Sequence, residues 1–243
     1  MRADSHFLDI AHVAIETTGR LGSVAVFRGQ TILRHINLDP DQRSAATLAP
    51  TLKDTFGWCQ DNHHQPAFVS VADGPGSFTG LRIGVTTAKT LCYAKELPLI
   101  AVDSLAAIAA AAFHDNPACD RIWSVIDAYR GQVFMGEFLR SSLLPAPESL
   151  DSDWTPHPAT TRILDLKAWE ALLTEKLPEI EVTGDQKPLA SGHAKALTRN
   201  CDAVGVGLLA IRAAALGKHA DPMHLVPRYL KASAAEEKKR RNS

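Results

Sequence analysis

The sequence lacks closely paired cysteines, a basic half and a long apolar run, and each absence removes a class of protein. Cys59, Cys92, Cys119 and Cys201 stand far apart, which argues against a zinc ribbon, a thioredoxin-like motif or a disulfide framework and fits a reducing cytosol. A net charge of −1 over 243 residues leaves no basic footprint of the kind that grips many phosphates, so contact with a long nucleic acid is expected to be indirect. No apolar run reaches bilayer length, and Asp4, His6 and Asp9 interrupt any signal-peptide core; a cytoplasmic chain with no membrane partner is expected. The histidines supply no metal pair: His63 and His64 are adjacent, His219 and His224 are five apart, and no His-Glu-x-x-His occurs. No metal site is expected.

What is present is enough apolar residue, 45% of the chain, to bury one large core or two smaller lobes. His12 to Thr18 and Leu21 to Arg28 read as a hairpin about Gly19-Arg20, with a third strand over Thr31 to Leu38. Ala45, Leu48, Ala49, Leu52 and Phe56 recur at helical spacing, predicting a helix from near Asp41 to about Asn62. A strand over Ala67 to Ala72, a helix over Leu81 to Lys95, a strand over Leu99 to Val102 and a helix over Leu105 to Phe113, capped by Asp103 or Ser104, complete a β-β-β-α-β-α run.

The strand pattern restarts near Arg121, with Ile122 to Ala128 and Gln132 to Leu139 as a second hairpin about Arg130-Gly131. Two hairpin starts point to an old duplication. Ser141 to Thr161 holds four of the fourteen prolines and no periodicity, which predicts a long loop or irregular insertion. A helix over Asp165 to Lys176, a strand over Ile180 to Gly184 and an alanine-rich helix from Asp202 to Leu216 follow. The expected division is a first lobe over 1–103 completed by a segment near 203–232, a degenerate second lobe over 104–202, and a frayed charged tail over 233–243 that includes Glu236 to Arg241.

Between a strand and a helix lies Asp73-Gly74-Pro75-Gly76-Ser77-Phe78-Thr79-Gly80-Leu81-Arg82-Ile83-Gly84, a place where backbone amides can meet an anion. Its spacing is not that of a Walker A loop, and Thr79 stands where a dinucleotide fingerprint starting at Gly74 needs its third glycine. The structural alternative is that the glycines permit a tight turn, Ser77 or Thr79 caps the helix, and Gly84 allows close packing. Ser77 and Ser104 are read as caps rather than nucleophiles. Arg82 reaches either a carboxylate or phosphate held between subunits, or solvent. Asp127 and Arg130 at the second hairpin fit either ligand contact or ordinary turn chemistry.

The string from Gly74 to Gly84 closely resembles the signature of the TsaB (YeaZ) family. The resemblance extends to Ala14 to Thr18, to Ile126 to Val133 and to Pro227 to Leu230, and is weak between Arg140 and Asp202. It implies a two-lobed α/β fold of the actin, Hsp70 and sugar-kinase type. It further implies a non-catalytic subunit that pairs with the catalytic paralogue TsaD, assembles with the ATPase TsaE, and serves threonylcarbamoylation of adenosine 37 in ANN-decoding tRNAs. On that resemblance tRNA is met only through the complex, no cofactor is intrinsic, ATP or ADP enters only with the assembly, and a homodimer forms when the partner is absent. The pairing surface is implied for the helices near Gln42 to Gln60 and Gly80 to Lys95, so Leu48, Leu52, Leu81, Val85, Ala88 and Leu91 either face a partner helix or face this chain's own sheet.

One departure concerns the first hairpin, Glu16-Thr17-Thr18, where actin-like enzymes place an aspartate. The longer glutamate displaces the carboxylate and weakens a claim to ATP hydrolysis. A histidine common early in the family's first long helix is also missing from Asp41 to Ala45. The competing expectation is an autonomous kinase or acyl transferase of the actin-like superfamily, which needs a triphosphate site that these residues do not supply.

Overall fold

The computed structural model describes residues 9–19, 21–42, 44–176, 180–189 and 196–231. Arg20 of the expected Gly19-Arg20 turn, Arg43 of the expected first helix and the expected tail 233–243 lie outside them. Strands β1 (Ala11–Glu16), β2 (Ser23–Arg28) and β3 (Thr31–Asn37) form an antiparallel meander, followed by α1 (Ser44–Asp61), β4 (Pro66–Gly74), α2 (Phe78–Lys95), β5 (Leu99–Asp103) and α3 (Ser104–Asp115). The sheet order is β3-β2-β1-β4-β5, with β4 parallel to both β1 and β5.

The same plan then recurs. Strands β6 (Arg121–Asp127) and β7 (Gln132–Leu139), helix α4 (Arg140–Leu143), strand β8 (Arg162–Asp165), helix α5 (Leu166–Lys176), strand β9 (Glu181–Gly184), helix α6 (Gln186–Leu189) and strand β10 (Ala196–Thr198) precede α7 (Ala203–Ala215). Read from its meander edge, the second sheet runs β8-β7-β6-β9-β10, with the order and pairing sense of the first. This is the expected two-lobed α/β fold, with α6, a four-residue turn of helix, standing where the first unit has the eighteen-residue α2.

Strand alternation sorts the core into layers. Val13, Ile15, Val24, Val26, Val69 and Val71 face α1 and α2 on the outer side of the first sheet. Ala14, Ala25, Phe27, Ala72 and Val102 face inward, where α3 and α7 fill the space between the two sheets. Glycines of α7 set how closely it approaches its neighbours: a Cβ on Gly205 would strike the Ala107 carbonyl of α3, and one on Gly207 the Phe27 ring of β2. On the outer side of the second sheet Trp169 and Leu173 of α5 are fully buried, the Trp169 indole donating to the Pro188 carbonyl at 3.0 Å.

Differences from expectation fall on short elements. Helix α1 begins at Ser44 rather than Asp41 because the Asp39 carboxylate holds a turn, accepting from the Asp41 amide and the Gln42 side chain, each at 2.9 Å. Strands β8 and β10 and helix α6 are only four, three and four residues long, below the length at which periodicity is visible. Between Ser141 and Thr161 the chain is irregular apart from the end of α4 and a single 3-10 turn at Pro147–Ser149, and Trp154 pins it by donating to the Leu143 carbonyl at 3.2 Å. Among the described residues no helix is long and apolar enough to cross a membrane.

Candidate functional site

The glycine loop packs against the first hairpin, and the glycines are where the contact is made. A Cβ on Gly80 would collide with the Thr17 carbonyl, one on Gly84 with the Thr17 hydroxyl, and one on Gly76 would come within 2.6 Å of the Thr18 Cβ. The Thr17 hydroxyl donates to the Gly80 carbonyl at 2.8 Å, and the Ser77 amide donates to the Thr18 carbonyl at 3.0 Å. Ser77 caps α2 by accepting from the Gly80 amide at 3.3 Å, while Thr79 is exposed. The hairpin therefore fills the space beside the loop and takes the Ser77 amide, while the Gly80 amide is held by the Ser77 side chain.

A strap over residues 220–231 fastens the other side of the loop. Gly74, at φ 130°, has no room for a side chain because the Arg228 carbonyl lies 2.6 Å from where its Cβ would be; Pro75 follows it through a cis peptide bond. The Arg228 amide donates to the Asp73 carbonyl at 2.8 Å, and its guanidinium meets the Asp103 carboxylate at 3.0 Å. Asp103 also caps α3 through the Ala106 amide; burial pushes its pKa up against the pull of that amide, Arg228 and His157. Asp73, almost fully buried, bonds His157 of the irregular segment at 2.9 Å. Phe78, Arg82 and Tyr229 close the set: the rings stack at 4.6 Å, Arg82 lies 4.1 Å over Phe78, and its Nε donates to the Tyr229 hydroxyl at 3.0 Å. Lys231 reaches the Ala128 and Tyr129 carbonyls on the second hairpin.

Glu16 is fully buried and folded back on its own turn. One carboxylate oxygen accepts from the Thr18 amide, from the Thr18 hydroxyl at 2.6 Å and from the Gly19 amide at 3.0 Å; the other is buried without a partner. Burial outweighs these three donors and raises its pKa to about 7. A cleft of about 690 Å³ lies beside this turn, lined by Thr18, Ser77, Asp127, Tyr129, Asp185 and Lys187 among others. Asp127 is already engaged, by Lys187 at 3.0 Å and the Tyr129 amide at 2.8 Å, and Asp185 accepts from the Asp127 amide at 2.8 Å. Burial, with Asp127 nearby, raises the Asp185 pKa. The cleft thus offers two carboxylates and one ion-paired lysine, an unfavourable lining for a polyanion. Among the described residues no group of three or more His, Cys, Asp or Glu side chains is placed to hold a metal ion.

The larger concavity lies elsewhere. Helices α1 and α2 border an open groove of about 1240 Å³ with Leu52, Phe56 and Leu91 on its apolar floor and Thr86, Thr87, Thr90 and Ala94 along the α2 side. Of the leucines and other apolar residues expected to face a partner or this chain's sheet, Leu48, Leu81, Val85 and Ala88 take the second course: they are essentially fully buried in the chain's own core. Leu52 is also buried but reaches the groove floor, and Leu91 is half-buried along it. The outward face of α2 is made instead by the threonines, Ala94, and Tyr93, which is 73% exposed.

A family model described as "TsaD: tRNA N6-adenosine threonylcarbamoyltransferase" matches residues 40–237. The tRNA threonylcarbamoyladenosine biosynthesis protein TsaB of Bacillus subtilis is 31% identical over 147 residues, which cover 58% of this chain and 63% of that protein. Its namesake from Escherichia coli is 34% identical over 128 residues, covering 53% and 54%. The chain belongs to this family, on its TsaB (YeaZ) branch. Its matched stretch spans between half and two thirds of the length of those TsaB relatives. The solved structure of YeaZ from Pseudomonas aeruginosa covers 91% of this chain and all of its own at a TM-score of 0.69, with 20% identity, which shows that the two-lobed fold is shared.

Against this TsaB background, residues that sequence reading left unassigned stand out. His157, Asp185 and Lys187 come from the weakly matching stretch and carry no motif, so nothing in the sequence marks them. Arg228 lies in the closing segment that resembles the family, but the sequence marks its partner Asp103 only as a cap.

Proposed function

We propose that this chain is a non-catalytic accessory subunit in tRNA threonylcarbamoyladenosine biosynthesis, docking the catalytic paralogue TsaD through the α1–α2 groove and assembling with TsaE so that adenosine 37 of ANN-decoding tRNAs is threonylcarbamoylated. The observation that carries the reading is the close packing of the glycine loop on its own hairpin, where Thr17 and Thr18 lie against Gly76, Gly80 and Gly84 and leave no room there for a phosphate, with Glu16 turned into its own turn. With that site closed, the open apolar groove is the feature best suited to a role, because a concave apolar face of this size attracts a protein partner. In this picture tRNA is met through the complex, ATP or ADP is bound only in the assembly, and the exposed face pairs with a second copy when TsaD is absent.

The test is light scattering of the purified chain alone and with TsaD of the same organism, beside a modification assay containing tRNA, threonine, bicarbonate, ATP and the remaining pathway proteins. A defined complex and modification that requires both chains are expected. A chain that stays alone and turns over ATP unaided would overturn the reading in favour of an autonomous actin-like kinase or acyl transferase working in the 690 Å³ cleft.

A further inference from the structure

Resting on that docking reading, we infer that the α1–α2 groove selects a partner whose docking face carries carboxylates, and selects against a second copy of this chain. Among the groove's lining residues are Lys53 from α1 and Lys95 from α2, with His63 and His64 beyond the end of α1; no Asp or Glu is among them. Lys95 lies 4.8 Å over the Phe56 ring, so its charge sits above the apolar floor. Asp54, Asp61 and Glu96 belong to or flank the same helices and are exposed, but they do not line the groove.

The floor of Leu52, Phe56 and Leu91 accepts any apolar face of the right shape; the lysines do not. A second copy docking through the same face makes a two-fold interface in which identical patches meet. It brings two lysines from each side, four in all, into one desolvated contact with no lining carboxylate to answer them. Like charges brought together in this way disfavour the wrong partner. A partner presenting carboxylates opposite Lys53 and Lys95 pairs both amines and is steered to the groove by the same field. The self-pair is then the weaker, reserve form of the interface.

The experiment uses the full chain, its Lys53→Glu/Lys95→Glu variant and TsaD of the same organism, followed by sedimentation velocity at about 50 mM and about 500 mM salt, which spans strong and weak screening. Both lysines are exposed, and an unchanged Tm confirms that the variant folds. At low salt the variant is expected to bind TsaD at least about tenfold more weakly than the wild type, and the wild-type complex to weaken by a similar factor at high salt. Wild type mixed with the variant is expected to form a mixed pair tighter than either self-pair. TsaD binding both chains equally at both salts would overturn the charge inference while leaving the docking reading intact. Failure of TsaD to bind either chain at either salt would sink the docking reading, and this inference with it. A wild-type self-pair tighter than the mixed pair and indifferent to salt would refute the selection against a second copy.

Discussion

Replacing Glu16 by glutamine removes a titration that the folded chain makes unusually costly. The buried carboxyl has its pKa raised from 4.5 to about 7, so the folded state keeps its proton where the unfolded state has released it. Stability from this group is therefore present below pH 4.5 and is lost as pH rises through about 7. At about 1.36 kcal/mol per pH unit, that interval corresponds to about 3 kcal/mol. Glutamine keeps an oxygen for the Thr18 and Gly19 donors and does not titrate. The stability of Glu16→Gln relative to wild type should thus grow by about 3 kcal/mol between pH 4.5 and pH 8, whatever its offset at low pH. Urea denaturation at closely spaced pH values measures this directly, and taking the difference cancels the titrating groups that do not interact with Glu16. A difference that stays flat across the range, or shrinks with rising pH, would refute the reasoning and would mean that the three donors hold Glu16 ionised at neutral pH. The outcome bears on function, since a carboxyl with so raised a pKa must give up its proton before ligating a metal ion, which weakens such binding at neutral pH.

Gly80→Ala places a methyl against the Thr17 carbonyl, and because backbone must move, a loss of at least about 2 kcal/mol is expected, read as a fall in Tm. His12 is stacked between Phe27 and Phe68 at 4.9 and 4.5 Å, and burial lowers its pKa from 6.5 to about 4. Its contribution is present above pH 6.5 and lost as pH falls through about 4, a loss of about 3 kcal/mol that His12→Phe should abolish in acid denaturation. Arg228→Ala leaves Asp103 buried without its cation; with Arg228 31% exposed and the Ala106 amide still bonded, a cost of about 2 to 3 kcal/mol and faster proteolysis near the strap are expected. Thr90→Glu, on the exposed wall of the groove, should leave Tm nearly unchanged and weaken TsaD binding at least about tenfold in sedimentation by setting like charge against the partner's carboxylates; binding at wild-type strength would move the interface elsewhere.

The long elements were legible because their apolar residues repeat often enough to be counted. The β-β-β-α-β-α run, both hairpins and the helix ending in Ala215 match the structure to within a few residues. Strands β8 and β10 escaped since a few half-exposed residues carry no period. At the glycine loop the residue types were plain, but two uses of glycine, cradling a phosphate and admitting a neighbouring backbone, look the same in sequence. Only the placement of Thr17 and Thr18 separates them. On α1 and α2 the apolar stripe marked the inward face, as such stripes do, so the outward face, built of threonine, alanine and lysine, gave no signal. The pair between Asp73 and His157, 84 positions apart, was beyond any local pattern.

The path of the chain through its own core orders events during synthesis. The inner face of the first sheet is covered by α7 as well as by α3, and its glycine loop is fastened by Arg228 and Tyr229. When β5 has left the ribosome, that face therefore still exposes Phe27, Ile100 and Val102, and the part that α7 covers stays open until the whole second unit has been made. Such long-range closure is slow and leaves apolar surface open in the meantime, so a chain truncated before residue 203 is expected to aggregate where the full chain does not, as measured by its soluble fraction on expression.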